Sequence, residues 1–428
     1  MNTPIAAAAP LSSAEPAPAS AVPASAAPMG AAPAATTPAP IAVPQTFTPV
    51  QMLDRLVGFD TVSSKSNLPL ITFVADYLRS HGITPEILPN EDGTKANLWA
   101  TIGPEVAGGV VLSGHTDVVP VDGQAWDTDP FCLTERNGRL YGRGTCDMKG
   151  FVALALAAVP QFVATPLARP IHLALSYDEE VGCTGAPGMI AHVVRNRPLP
   201  AICIVGEPSM MKPVNAHKGS YAFTVTVRGK EAHSALPDQG ASASFAAGEI
   251  VAHLSALQDQ ARAAAIPGSR FEPPYSSFNV GMIQAGTAFN IIPQRAWFSF
   301  DYRSLPEEDA DAVLSGIFDH IRSVVEPRLQ ARWPDTGIDV TAFATVPGLR
   351  PEVEGQAEAL ARQLSGSNDV GVVPYGTEGG LFQNAGMSTI IIGPGDIAQA
   401  HQPNEFLALD QVRKGEAFLT RLAGWMAR

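Results

Sequence analysis

Four short apolar runs in this chain stop abruptly at polar residues, and that pattern constrains the fold more than any other feature. Val110-Val111-Leu112-Ser113-Gly114 leads into His115, and the run 171–176 leads into Asp178-Glu179-Glu180. Ile202-Cys203-Ile204-Val205-Gly206 leads into Glu207, and the run 389–392 leads through a glycine-rich loop to His401. Runs of this length read as buried strands, and helical apolar spacing separates them, so the chain predicts an α/β sheet. In an open α/β sheet, ligands bind beyond the carboxyl ends of the strands. Four strands therefore deliver polar side chains to one edge, which is the expected site.

Between about 215 and 346 the order becomes strand, helix, strand, strand, helix, strand, the βαββαβ order of a ferredoxin-like module. It reads as a domain inserted between two halves of the first, 46–214 and 347–428. In its helix after Pro306, Ala310, Val313, Leu314, Ile317, Phe318, Ile321 and Val324 fall at helical spacing and predict one packed face. In the strand 296–303, Phe298, Phe300 and Tyr302 share one face while Ser299, Asp301 and Arg303 share the other. Ahead of both domains, the first 50 residues hold 17 Ala and 11 Pro without periodic apolar anchors, so residues 1–45 are expected to form a disordered tail. The first basic residue is Arg55, which does not fit a secretory signal. No later apolar run reaches the roughly 20 residues that span a bilayer.

Charge narrows the function. With 28 Lys+Arg against 41 Asp+Glu, the formal charge of -13 argues against nucleic-acid binding and is compatible with cations. Cys132, Cys146, Cys183 and Cys203 form no CxxC pair, which suits small buried side chains in a reducing, cytoplasmic compartment. His115-Thr116-Asp117 sets a carboxylate two residues from an imidazole, where it can hold the second ring nitrogen as metal-binding histidines require. Asp147 follows Gly142-Arg143-Gly144-Thr145-Cys146 and opens an apolar helix, so it is either a helix cap or a ligand. The loop does not complete a GxGxxG dinucleotide motif, because Asp147 occupies the third glycine position. Glu179 and Glu180 are adjacent carboxylates, which repel unless a cation or solvent compensates them. With Glu207 and His401, the edge offers two imidazoles and four carboxylates, a set suited to Zn²⁺ or Co²⁺. Six groups are too many for one tetrahedral ion. Two ions about 3.5–4 Å apart, sharing one carboxylate, leave another carboxylate free to act as a base on water.

Six linked stretches carry a resemblance: HTDVVPVDGQAW from His115, GRGTCDMKG from Gly142, SYDEEVGC from Ser176, VGEPS from Val205, RGKEAHSALP from Arg228 and YGTEGGLF from Tyr375. In this order they resemble the dinuclear-zinc aminoacylase and carboxypeptidase family over essentially the whole chain after the tail. The resemblance implies a zinc-peptidase-like catalytic domain with a mixed, mostly parallel sheet, and makes the inserted module a lid and dimerisation domain. It implies a homodimeric amide hydrolase with two Zn²⁺, replaceable by Co²⁺, acting on a small N-acylated amino acid. His115 and Glu207 would bind one ion, Glu180 and His401 the other, and Asp147 would bridge them. Glu179 would be the general base, with Asp117 behind His115. His233, in the AHS motif, would polarise the scissile carbonyl. Asn290, Arg303, Thr377 and Glu378 would lie on the substrate side, Glu378 either meeting a cationic group or hydrogen-bonding structurally. Other acyl preferences within the family, and an inactive metal-binding scaffold, are the competing readings.

Overall fold

The computed structural model describes residues 45–428, so the expectation for the Ala/Pro-rich tail falls outside the described residues. The larger sheet has eight strands, in the order Glu86–Pro89, Ala96–Ile102, Ile171–Ser176, Val110–His115, Ile202–Pro208, Ser388–Gly393, Val214–His217 and Gly371–Val373. Its four central strands, Ile171–Ser176 through Ser388–Gly393, run parallel to their neighbours, and antiparallel pairings flank them. This is the mixed, mostly parallel sheet expected. Every residue of Ile171–Ser176, Val110–His115 and Ile202–Pro208 is buried. Parallel strands are covered on both faces, which is why these runs are continuously apolar rather than alternating. Helices Lys149–Ala157, Gln356–Ser365 and Leu409–Met426 pack on one face, and Ala186–Asn196 and Gly379–Asn384 on the other.

Close approach of helix to sheet needs glycine just before the polar strand end. A Cβ at Gly206 would lie 2.0 Å from the Phe151 ring, so only glycine lets helix Lys149–Ala157 lie against the strand that delivers Glu207.

The second sheet is antiparallel, in the order Ser277–Ala285, Arg295–Arg303, Ser220–Arg228 and Gly337–Val346. Helix Ala243–Ala263 and the helical stretch from Ala310 to Arg332 cover one face, with Phe298, Phe300 and Tyr302 in the core beneath them. The packed face of the second helix departs from the even spacing expected: Ile321 is followed by Val325 and Leu329 rather than by Val324. A π-helical turn over Ile321–Val325 adds a residue to the winding and moves the buried stripe one position along.

One end of this sheet abuts the larger domain. A Cβ on Gly182 would lie 2.7 Å from the Ala344 Cβ, and one on Gly376 would lie 3.2 Å from the Ser220 Cβ. A third, three-stranded ribbon of Phe406–Ala408, Arg139–Tyr141 and Thr134–Arg136 ties the segment after His401 to the Gly142 loop. None of the helices formed by the described residues is long and apolar enough to cross a membrane.

Two histidines are buried as neutral rings. His172 and His217 are 4% and 0% exposed, and burial pulls each down to about 4. In the unfolded chain they protonate near 6.5. As pH falls below about 6.5 the unfolded state takes up these protons first, so stability is lost down to about pH 4 and no further from this source. Urea unfolding across that range should show His172→Gln with a shallower pH slope than the parent, by up to about 1.4 kcal/mol per pH unit. An unchanged slope would contradict the neutral buried ring.

Candidate metal centre

His115 is the last residue of its strand. Its Nδ1–H donates to the Asp117 carbonyl at 2.9 Å, which fixes the tautomer and leaves Nε2 free to face Asp147 Oδ1 at 3.1 Å and Glu207 Oε1 at 3.6 Å. The spacing predicts ring support from the Asp117 carboxylate, but the Asp117 backbone carbonyl supplies it and the carboxylate stands off at 3.6 Å. The carboxylate instead accepts from the Ser63 hydroxyl at 2.6 Å and from the backbone N–H groups of Glu179 and Glu180 at 3.1 and 3.3 Å. Asp117 thus joins the His115 strand end to the Glu179-Glu180 turn.

Asp147 lies between two imidazoles. Its Oδ1 faces His115, and its Oδ2 faces His401 Nε2 at 3.3 Å; that nitrogen also lies 3.0 Å from Glu180 Oε2. The helix-cap alternative does not hold, since the helix that follows starts after Met148 with no side-chain cap bond. Strand ends and loops distant in sequence thus bring His115, Asp147, Glu179, Glu180, Glu207 and His401 into one cluster. Two triads, His115 with Glu179 and Glu207, and His115 with Asp147 and Glu180, each present ligand atoms within 4.8 Å of one another.

The electrostatics of this cluster suit a cation. Burial and the Asp147 charge push Glu207 well up, and Glu180 to about 7; burial, with Glu180 beside it, also raises Glu179. Glu180 Oε1 is buried without a hydrogen-bond donor, an acceptor that a cation would satisfy. The donors are imidazole nitrogens and carboxylate oxygens. The nearby thiols are otherwise occupied: Cys146 Sγ–H donates to the Asp396 carbonyl at 3.3 Å, and Cys183 Sγ–H to Glu179 Oε1 at 3.4 Å. A nitrogen and oxygen set fits a borderline divalent ion such as Zn²⁺ or Co²⁺.

The remaining candidates divide. His233 and Asn290 stand together on facing loops, where Ser234 N–H donates to the Asn290 carbonyl at 3.0 Å and His233 bridges to Ile291. His233 is exposed, and its Nδ1 accepts from the Ala235 N–H at 3.1 Å. The ring proton is therefore on Nε2, a free donor. Arg303 is 39% exposed with its Nε donating to Asp301 Oδ1 at 3.2 Å. It occupies the opposite end of its strand from the His233 loop, at the end that meets the Gly182 and Gly376 loops.

Thr377 and Glu378 are each 1% exposed, and of the two roles expected for Glu378 the structural hydrogen-bonding one matches its surroundings. Thr377 Oγ1 accepts from the Gly379 N–H at 3.0 Å, and Glu378 Oε2 accepts from Ser113 Oγ at 3.1 Å beneath the strand ends. The next helix begins at Gly379, and that turn draws both side chains inward. Three residues of the site escaped sequence reasoning: Gln124, Arg143 and Glu405. Arg143 and Glu405 form a fully buried ion pair at 2.6 Å behind Asp147. Their signal was charge close to expected ligands, Arg143 four residues before Asp147 and Glu405 four after His401.

Comparison with known proteins agrees with this geometry. Residues 111–424 match the model of peptidase family M20/M25/M40. An acetylornithine deacetylase of Myxococcus xanthus is 37% identical over 382 residues, covering 86% of this chain and 95% of that protein. One from Proteus mirabilis strain HI4320 is 35% identical over 349 residues, covering 81% and 87%. Among solved structures, the M20 family metallo-carboxypeptidase Sso-CP2 of Sulfolobus solfataricus superposes with a TM-score of 0.69 at 18% identity, over 87% of this chain and 98% of that one. A dinuclear metal-binding M20 peptidase of Bacillus subtilis gives 0.59 at 17% identity, over 88% and 96%. The chain belongs to peptidase family M20/M25/M40 and is a metal-dependent hydrolase.

Proposed function

We propose that this enzyme removes the acetyl group from N2-acetyl-L-ornithine, giving L-ornithine and acetate, as a cytoplasmic step of arginine biosynthesis. The observation that carries the reading is Asp147 held between two histidines in a cluster with more carboxylates than two ions need, in a chain whose relatives include acetylornithine deacetylases. His115 and Glu207 would hold one Zn²⁺, Glu180 and His401 the other, and Asp147 would lie between. When bound, such an ion pair lowers the pKa of a water toward neutrality and polarises a carbonyl.

The chain's own residues do the rest. Glu179, raised by burial, takes the proton of the attacking water and passes it to the leaving amine as the C–N bond breaks. The water oxygen leaves in acetate. His233 Nε2–H donates to the carbonyl oxygen as charge develops there. Arg303, a planar guanidinium, suits the substrate α-carboxylate. A panel of acetylornithine, succinyl-diaminopimelate and acetyl amino acids tests the assignment. Acetylornithine should be turned over fastest, chelation should abolish turnover, and Zn²⁺ or Co²⁺ should restore it. Preference for another substrate, or full turnover by metal-free protein, would overturn it.

His233 and Arg303 stand too far apart to serve one site from one subunit. The His233 loop continues beyond the Arg228–Arg295 pair, and Arg303 lies eight residues along the strand from Arg295, about 26 Å at strand rise. This supports a homodimer in which the module 215–346 is the lid and dimerisation domain and lends His233 to the partner's site. His233→Ala and Glu179→Gln subunits should each be nearly inactive alone. Mixed dimers then hold one intact site, so free equimolar exchange should restore about a quarter of parent activity, from the two-fold symmetry of the dimer. No recovery despite proven exchange would place His233 in its own subunit's site or outside catalysis.

A further inference from the structure

Glu405 lies four residues beyond His401 and is 1% exposed. Its Oε1 accepts from the backbone N–H groups of Cys146 at 2.8 Å and Asp147 at 3.0 Å. Its Oε2 accepts from the Gly144 N–H at 3.1 Å and from Arg143 Nη1 at 2.6 Å. An ionised carboxylate has about four acceptor positions, so this one is fully used. A second tie runs the other way: Arg143 Nη2 donates to Gln124 Oε1 at 2.6 Å, and Gln124 Nε2 donates to the His401 carbonyl at 3.0 Å. The loop that carries Asp147 and the loop that carries His401 are thereby clamped by one buried charge and its guanidinium partner.

A buried ion pair is a weak stabiliser, because desolvation offsets its Coulomb attraction. Geometry is what this pair supplies. His401 needs it, since its own side chain is 52% exposed and its backbone sits in the left-handed region at φ 62°. His115, in contrast, is held by a fully buried strand. We propose that Glu405 is a positioning residue that sets the separation of Asp147 from His401, and so governs the ion on the His401 side more than the ion on the His115 side. This rests on the two-ion reading above.

The test counts ions rather than turnover. Metal-free full-length protein is titrated with Zn²⁺ against a chromophoric chelator. The parent should take up two ions. Glu405→Gln keeps the shape but turns an amide N–H toward backbone donors, and it should weaken one ion by about 10-fold or more while the other changes by less than about 3-fold, the scale seen when outer partners of metal ligands are removed. Gln124→Ala, on a half-buried surface side chain, should weaken the same ion by a smaller factor with an unchanged melting temperature of the metal-free protein. Parent protein that takes up fewer than two ions overturns the two-ion reading and this inference together. A two-ion parent whose folded Glu405→Gln variant binds both ions as tightly as before, or loses both equally, overturns the role of Glu405 alone. Should Glu405→Gln fail to fold, the same two outcomes in Gln124→Ala decide against it.

Discussion

The repulsion among four converging carboxylates, two buried and two half-buried, is the constraint around which this molecule is arranged. Asp147, Glu179, Glu180 and Glu207 converge around His115, with ligand atoms within 4.8 Å of one another in two groups. Burial raises the cost of ionising all four, and the neighbouring carboxylates add to it for Glu179, Glu180 and Glu207, whereas the two imidazoles beside Asp147 hold its carboxyl below the usual range. Such a cluster is stable as a set of anions only with cations among them. The fold's contribution is to hold the anions in place regardless, by fixing each through its backbone rather than through its carboxylate.

That division of labour recurs around the site. His115 and Glu207 end or nearly end rigid, buried parallel strands. The Glu179-Glu180 turn is held by its N–H groups to Asp117, and Asp147 by its N–H to Glu405. The candidate ligand oxygens are thus left facing one another while supporting carboxylates take up the backbone donors behind them. His401 is the least constrained, on an exposed loop tethered through the three-stranded ribbon and Gln124. The residues proposed to meet substrate come from the second sheet, with Arg303 at one end of its strand and His233 with Asn290 beyond the other end.

Much of this was legible in the chain. Apolar runs that break at His115, Glu179-Glu180 and Glu207 marked the strand ends, because a parallel strand buried on both faces must be apolar until it leaves the sheet. The βαββαβ order was legible for the same reason of periodicity, and Phe298, Phe300 and Tyr302 do share the packed face. Other features were not legible, because they depend on local winding or on tertiary partners. Helical spacing cannot anticipate the π turn that replaces Val324 by Val325. Motif likeness left Glu378 between a substrate contact and a structural hydrogen bond, and only the tight entry to helix Gly379–Asn384 shows that it and Thr377 turn inward. Arg143 and Glu405 are 262 residues apart, and only the folded chain shows that they pair.

Anomalous diffraction at the zinc edge, from crystals grown with Zn²⁺, tests the central claim most directly. Two peaks should flank the Asp147 carboxylate, one against His115 and Glu207 and the other against Glu180 and His401, about 3.5–4 Å apart as in other two-ion hydrolytic sites. A single peak, or two peaks that do not share Asp147, would contradict the account.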